Sequence, residues 1–269
     1  MSSQLFRTLH NGPELLLLPN AWDGVSARLI ESLGAKAIAT TSAGLAWSRG
    51  YPDGSALPED QLFGAIRDIV RVIRVPLTVD IEAGYSDDPT KVARLVERIL
   101  ALGAVGINVE DGAGSPDLLC AKIAAIRQHL DRIGSDLFIN VRTDVILRGI
   151  ARAEAANEEI IGRAARYRAA GCDGLFVPGL ASADAMAAIS TAIAPMPLNV
   201  MAIPNVPSMD TLQRSGVRRL SAGSSIAQAA IGQTNRLVSA FLAGAISEMF
   251  EVSIGYDAVN RLFAPGARH

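Results

Sequence analysis

The chain has 269 residues, 49% of them hydrophobic, with 25 basic and 27 acidic side chains and a formal net charge of -2. That length and apolar content suffice for one large core, and the near-balanced charge shows neither a nucleic-acid footprint nor a polybasic membrane patch. The early apolar run at residues 15–18 is too short to span a bilayer and lacks a basic leader or cleavage site, so a cytoplasmic location with no membrane partner is expected. Cys120 and Cys172 have no metal-ligand spacing and agree with a reducing compartment. No Pro/Ser tract marks a linker, which predicts one domain over 1–269 with a helical extension from about residue 244.

The elements follow one grammar. The polar segment to Gly12 is an entry helix or loop, residues 15–18 are a first strand, and Asp23 caps a helix that Gly34 ends. Residues 37–41 form the second strand. The stretch 42–54 that follows is Gly-rich and too long for a plain connector, which points to a functional loop. Pro58 and Glu59 open a helix to about Ile73, and the third strand runs from Pro76 into Asp80 and Glu82. A helix from Pro89 leads to a strand at 106–111, a helix at 118–130 and a strand at 137–142. A helix at 154–170, a strand at 174–177, a helix at 182–193 and a strand at 198–201 come next. After a short helix at 209–214 and a strand at 217–221, Ser224 can cap an Ala-rich helix to about Ala243. Eight strand-then-helix units with near-continuous apolar strands predict a parallel (β/α)8 barrel of the TIM type. A doubly wound open sheet is the alternative, but no Gly-x-Gly-x-x-Gly turn follows any strand. The apolar residues beyond Ser247, among them Phe250, Ile254, Tyr256 and Phe263, suit burial against another subunit.

In a parallel barrel the chemistry lies at the carboxyl ends of the strands. Asp80 and Glu82 sit two apart, a spacing that turns both side chains to one face of an extended chain. Two carboxylates about 4 Å apart repel by about 4 kcal/mol at an effective dielectric near 20, so a proton, a base or a metal must offset them. The next strands end in Glu110 and Asp111, then in Arg142 and Asp144, and the loop after strand two adds Asp53. A lone acid at a strand end is most often a cap. Three successive strands ending in acids around one arginine point instead to a divalent cation held by Asp53, Asp80, Glu82 and Glu110, with oxygen ligands and retained waters of the kind Mg2+ prefers. Asp111 and Asp144 either stand behind those ligands or cap helices. Arg142 suits a bidentate grip on a substrate carboxylate, and Thr41, Ser42 and Ala43 offer backbone N–H groups to the same substrate. His10, His129 and His269 lie away from these ends, so nucleophile-plus-histidine catalysis has no support. Cys172 reads as a packed small hydrophobe and Cys120 as a non-catalytic helix residue. Residues 221–225 either bind phosphate at a helix N-terminus or serve as a cap.

Taken together, residues 20–28, residues 41–53 with Gly50-Tyr51-Pro52-Asp53, the run Asp80-Ile81-Glu82-Ala83-Gly84-Tyr85, residues 108–111 and Arg142-Thr143-Asp144 resemble the isocitrate lyase/phosphoenolpyruvate mutase superfamily over nearly the whole chain. The resemblance implies a (β/α)8 barrel whose last helix is exchanged between subunits in dimers that pair into tetramers. It implies one Mg2+ or Mn2+, held directly by Asp80, with Glu82, Asp53 and Glu110 holding its waters or completing the shell. It implies that Arg142 and the amides of Thr41, Ser42 and Ala43 bind the substrate carboxylate. The shared chemistry makes or breaks a bond to the methylene carbon of a 2-oxo acid through a metal-held pyruvate enolate.

Departures narrow the expectation. The superfamily's lyases carry a Lys-[Lys/Arg]-Cys-Gly-His loop after the strand-four acid, and its phosphonate enzymes a Lys and an Asn-Ser or Asn-Thr; residues 112–120 carry neither, and Lys122 falls inside the next helix. Glu82 replaces the usual Asp. The expected activity is therefore Mg2+-dependent C–C cleavage or decarboxylation of a small 2-oxo or 2-hydroxy carboxylic acid. Phosphonopyruvate mutase or hydrolase chemistry and non-catalytic binding of 2-oxo acids are the alternatives.

Overall fold

Pro19 has no N–H to give a ladder, and it divides the first strand in two. The structure, a computed structural model that describes residues 2–264, places β1 (Leu16–Leu18) before the proline and β2 (Asn20–Ala21) after it. β1 pairs with β9 (Val217–Ser221) and β2 with β3 (Ile38–Thr40), so both ends of the strand order meet in one divided strand and the sheet closes. Between them lie β4 (Leu77–Asp80), β5 (Gly106–Glu110), β6 (Phe138–Arg142), β7 (Gly174–Phe176) and β8 (Leu198–Met201), every pairing parallel. The result is a TIM-type α/β barrel, as the cadence of the chain predicts.

The helices cover the outside of the barrel because their apolar stripes repeat at helical spacing. In α4 (Glu59–Val72), Leu62, Phe63, Ala65, Ile66 and Ile69 are buried in one apolar cluster with Leu77 and Val79 of β4 and the following Ile81. Each such side chain contributes about 1.5–3 kcal/mol relative to exposure. α2 (Gly24–Ser32) starts in a reciprocal cap, with Asp23 accepting from the Ser26 N–H at 2.7 Å and Ser26 Oγ accepting from the Asp23 N–H at 3.1 Å. α1 (Ser3–Asn11) is the predicted entry segment. It floors the barrel by driving Phe6 and His10 against Phe138, with the imidazole stacked 4.2 Å from that ring.

Two expectations change. Residues 42–47 are not loop but the short helix α3 (Ser42–Trp47), capped by Thr41 Oγ1. Gly44 explains its register, since a Cβ there would lie 2.7 Å from Thr41 Cγ2 and 2.8 Å from Trp22 Cβ. Ser224 precedes α10 (Ser225–Leu242) without making a side-chain cap bond; its Oγ accepts instead from Gln228 Nε2. The remaining helices are α5 (Pro89–Ala101), α6 (Pro116–Arg132), α7 (Ala153–Ala170), α8 (Ala183–Ile193), α9 (Met209–Arg214), α11 (Glu248–Glu251) and α12 (Tyr256–Phe263).

α10, 18 residues long, buries only Ala227, while Ile231, Val238, Phe241 and Leu242 stay exposed. On the barrel wall the outer face of β1 is open, with Leu17 52% exposed, and Leu29, Leu33 and Ile226 line a groove of about 550 Å³ beside it. α12 returns to α2, where Arg28 Nε donates to Leu262 O at 2.8 Å. No helix among the described residues is long and apolar enough to cross a membrane. His269 lies outside the described residues.

Candidate active site

At the carboxyl rim the barrel interior turns from apolar to ionic through a polar layer. Asn140 Nδ2 donates to Asn108 Oδ1 and Asn199 Oδ1, both at 3.0 Å, and Arg219 Nη2 reaches Asn108 Oδ1 at 3.2 Å. Arg219 is fully buried, and its Nε and Nη1 have no protein partner. Burial pushes its guanidinium down to about 9, against the attraction of Asp80.

Asp80 ends β4 above this layer. Its N–H donates to Thr40 Oγ1 at 2.8 Å and its Oδ1 accepts from the Glu82 N–H at 3.0 Å. Burial pushes its carboxyl up, Arg142 opposes this, and Asp53 adds to it. Glu82 does not follow from strand alternation as expected: the backbone leaves the extended region there, with φ of +51°, and Tyr85 lies at +57°. Left-handed non-glycine residues are sparse and gather at functional sites. Glu82 is consequently held by the segment after β3, accepting from the Ser55 N–H at 2.5 Å and its Oγ at 3.3 Å, and from Tyr85 OH at 3.3 Å. Burial and then Asp80 push Glu82 up. Asp53 is exposed on the same segment, within electrostatic reach of Asp80 and Glu82.

Glu110 and Arg142 face each other across the β5–β6 pairing, Oε2 to Nη1 at 2.9 Å. Burial pushes Glu110 up to about 8, against Arg142, with Asp80 and Asp144 adding to the rise. Asp144 clamps Arg142 in bidentate fashion, at 2.6 Å to Nε and 3.0 Å to Nη2. Asp111 points away from the rim. It gathers Thr143 Oγ1, the Asp144 N–H, Arg163 Nη1 and Tyr167 OH within 2.9 Å, fixing the segment that carries Asp144 to α7. Lys122 is buried and donates to Ala83 O at 2.8 Å, bracing the segment after Glu82 from α6.

Two expected contacts are reassigned. The Thr41 N–H is spent on Ala21 O at 3.2 Å, which leaves the Ser42 and Ala43 amides in the first turn of α3. The Ala222 and Gly223 N–H groups that a phosphate would need both donate to Asn20 Oδ1 at 2.9 Å. Cys172 is packed 3.4 Å from Met196 Sδ with its thiol pushed up to about 12 by burial, and His129 pairs with Glu97. Thr40, Ser55, Tyr85 and Arg219 are the site residues that sequence reasoning missed. Only Arg219 left a direct signal, as one of two adjacent arginines, Arg218 and Arg219, inside a barrel strand.

A divalent cation fits this donor set in one way. Among the described residues no three acids converge closely enough to enclose an ion by themselves, because Glu82 is held by Ser55 and Tyr85 and Glu110 by Arg142. Carboxylates that raise one another's pKa nevertheless call for positive charge, and hard oxygen donors with intervening water suit Mg2+ or Mn2+.

The phosphoenolpyruvate phosphomutase family model matches residues 6–242. This chain belongs to the isocitrate lyase/phosphoenolpyruvate mutase superfamily. An uncharacterised protein of Mycobacterium tuberculosis is 37% identical over 223 residues, 81% of each chain. A crystal structure from Burkholderia cenocepacia J2315, described as a candidate phosphonomutase, is 39% identical with a TM-score of 0.83, covering 88% of this chain and 98% of its own. An oxaloacetate decarboxylase of Bradyrhizobium is 28% identical over 200 residues, 70% of this chain and 67% of the relative. Relatives named for an activity include, besides that decarboxylase, a 2-methylisocitrate lyase and an oxaloacetate acetylhydrolase. The β5–α6 connection of this chain is brief: Gly114 N–H closes onto Asp111 O at 2.7 Å, and Ser115 already caps α6.

Proposed function

We propose that the chain is a divalent-metal-dependent carbon–carbon lyase or decarboxylase acting on a small 2-oxo or 2-hydroxy carboxylic acid of the oxaloacetate kind. The observation that carries this reading is the opposition of half-buried Asp80 to an arginine already oriented by Asp144 and Glu110. Nε and one Nη2 hydrogen of Arg142 serve Asp144, and Nη1 meets Glu110 as an ion pair at 2.9 Å. At least one hydrogen remains on each Nη, a fork suited to a carboxylate. The Ser42 and Ala43 amides, in the first turn of α3, would serve as further donors. Asp80 would hold the ion directly, and Glu82, Asp53 and Glu110 would hold it through water. When bound, the ion would supply positive charge to the substrate's keto oxygen as the electrons of the breaking bond arrive there. Arg142 keeps the carboxylate end fixed while that bond breaks, and the brief β5–α6 connection suits decarboxylation, which needs no acid from a lid.

Phosphonopyruvate mutase or hydrolase chemistry is the second reading, favoured by the likeness to the candidate phosphonomutase. A panel of 2-oxo and 2-hydroxy diacids and phosphonopyruvate, assayed for pyruvate with Mg2+, separates the two. Metal-dependent pyruvate release from a diacid, abolished by Asp80→Ala, is expected. Turnover of phosphonopyruvate alone would replace the lyase with the second reading, and tight binding with no turnover would leave a 2-oxo acid binder.

The chain also forms a homo-oligomer, a dimer or tetramer, in this proposal. The exposed apolar side of α10 from one copy would cover the open groove over β1 of another. A cytoplasmic setting agrees with the two free cysteines.

A further inference from the structure

We infer that Arg148 is a specificity-determining residue of this site: a second guanidinium, set across Glu110 from Arg142, that binds a second carboxylate of the substrate. The inference rests on the lyase proposal and narrows its substrates to 2-oxo or 2-hydroxy diacids.

Arg148 lies in the β6–α7 connection, whose backbone is tightly folded. The Asp144 N–H is anchored on Asp111 Oδ1 at 2.9 Å, the Arg148 N–H returns to Asp144 O at 2.9 Å, and the Gly149 and Ile150 N–H groups close onto Ile146 O and Val145 O at 3.0 and 2.9 Å. The side chain therefore starts from a fixed point. A Cβ built on Gly112 would lie 3.8 Å from Arg148 Nη2 and 3.7 Å from Glu110 Oε1, so both groups border the space that this glycine leaves open. The other oxygen of Glu110 is 2.9 Å from Arg142 Nη1. Glu110 thus stands between two arginines.

The two guanidiniums are not equally committed. Asp144 gives its short contacts to Arg142, at 2.6 and 3.0 Å, and meets Arg148 Nε only at 3.6 Å. The Arg148 side chain is 48% exposed and keeps N–H groups for an incoming anion. Neighbouring cations are turned elsewhere: Lys122 to Ala83 O, Arg163 to Asp111 and Arg166 to Asp117. The residues between Glu110 and α6 include no base.

The test uses the full chain with Mg2+ and three probes. Oxalate has no second arm, malate is a four-carbon 2-hydroxy diacid, and lactate lacks malate's second carboxylate. In Arg148→Met, the affinity for malate should fall roughly 10- to 100-fold, the range of a lost charge-assisted hydrogen bond, while oxalate and lactate bind as in the parent. Arg148→Lys should restore part of the malate affinity. With a diacid substrate, KM should rise far more than kcat falls. Unchanged malate affinity in Arg148→Met overturns the inference and leaves the lyase proposal standing. Equal losses of oxalate and malate, with a lowered melting temperature, also overturn it, by assigning Arg148 to the fold. Failure of oxalate to bind the parent with Mg2+ overturns the lyase proposal and this inference together.

Discussion

Asp111 illustrates how much of this site is held from behind. Its carboxylate is fully buried and satisfied by Arg163, Tyr167, Thr143 and the Asp144 amide, so its removal leaves the buried Arg163 guanidinium with half-buried Glu159 alone. Asp111→Ala should cost about 3–5 kcal/mol in urea unfolding, the range for breaking a buried ion pair. It should also weaken substrate binding, because Asp144 loses the anchor from which it orients Arg142. A cost below about 1 kcal/mol would show that α7 and the site are not coupled through it. At the opposite end of the barrel, burial and then Arg219 push the His10 imidazole from 6.5 down to about 3. A base lowered in the fold contributes stability above its unfolded value and loses it as the pH falls. Between about 6.5 and 3 the parent should lose up to ~1.4 kcal/mol per pH unit on this account. His10→Phe, which keeps an aromatic ring against Phe138, should lack that part of the slope, and identical pH profiles would contradict it. At this scale the strand ends pointed to the acids and Arg142, of which the structure pairs Glu110 with Arg142 at 2.9 Å and leaves Asp53 exposed. The sequence could not show that Glu82 leaves the extended backbone, since positive φ at a glutamate has no signature in residue type.

Among the elements, the strands were legible because buried parallel strands read as unbroken apolar runs and Gly or Pro marks their ends. α3 was hidden by Gly44, a residue that weakens helices in general but is required here by the close approach of Thr41 and Trp22. The division of the first strand at Pro19 was hidden for a different reason: a proline between two ladders looks like an end until the closure of the sheet is known. α10 is the element that the fold of one chain does not explain. Its exposed Ile231, Val238 and Phe241 face no core of their own, and Leu17 leaves the barrel wall bare. The double substitution Ile231→Glu, Phe241→Glu should shift the species seen by light scattering to a smaller mass, while circular dichroism keeps the parent's helix content. A parent that is already monomeric would remove the proposal.

For the whole molecule, charge is layered along the barrel axis. The apolar side of α1 closes the floor, asparagines and Arg219 fill the middle, and carboxylates with Arg142 and Arg148 crown the rim. The middle layer was the least legible part, because three asparagines in different strands carry no motif and their meeting depends on register. The rim was legible through strand ends alone. Whether that rim seats a divalent cation at Asp80 is the central question, and titration of Mn2+ into the metal-free protein, followed by the spectrum of the free ion, addresses it directly. The account predicts a single site per chain that tightens when oxalate is added and disappears in a folded Asp80→Ala variant. Equal Mn2+ binding by parent and variant, or none by the parent with or without oxalate, would contradict it.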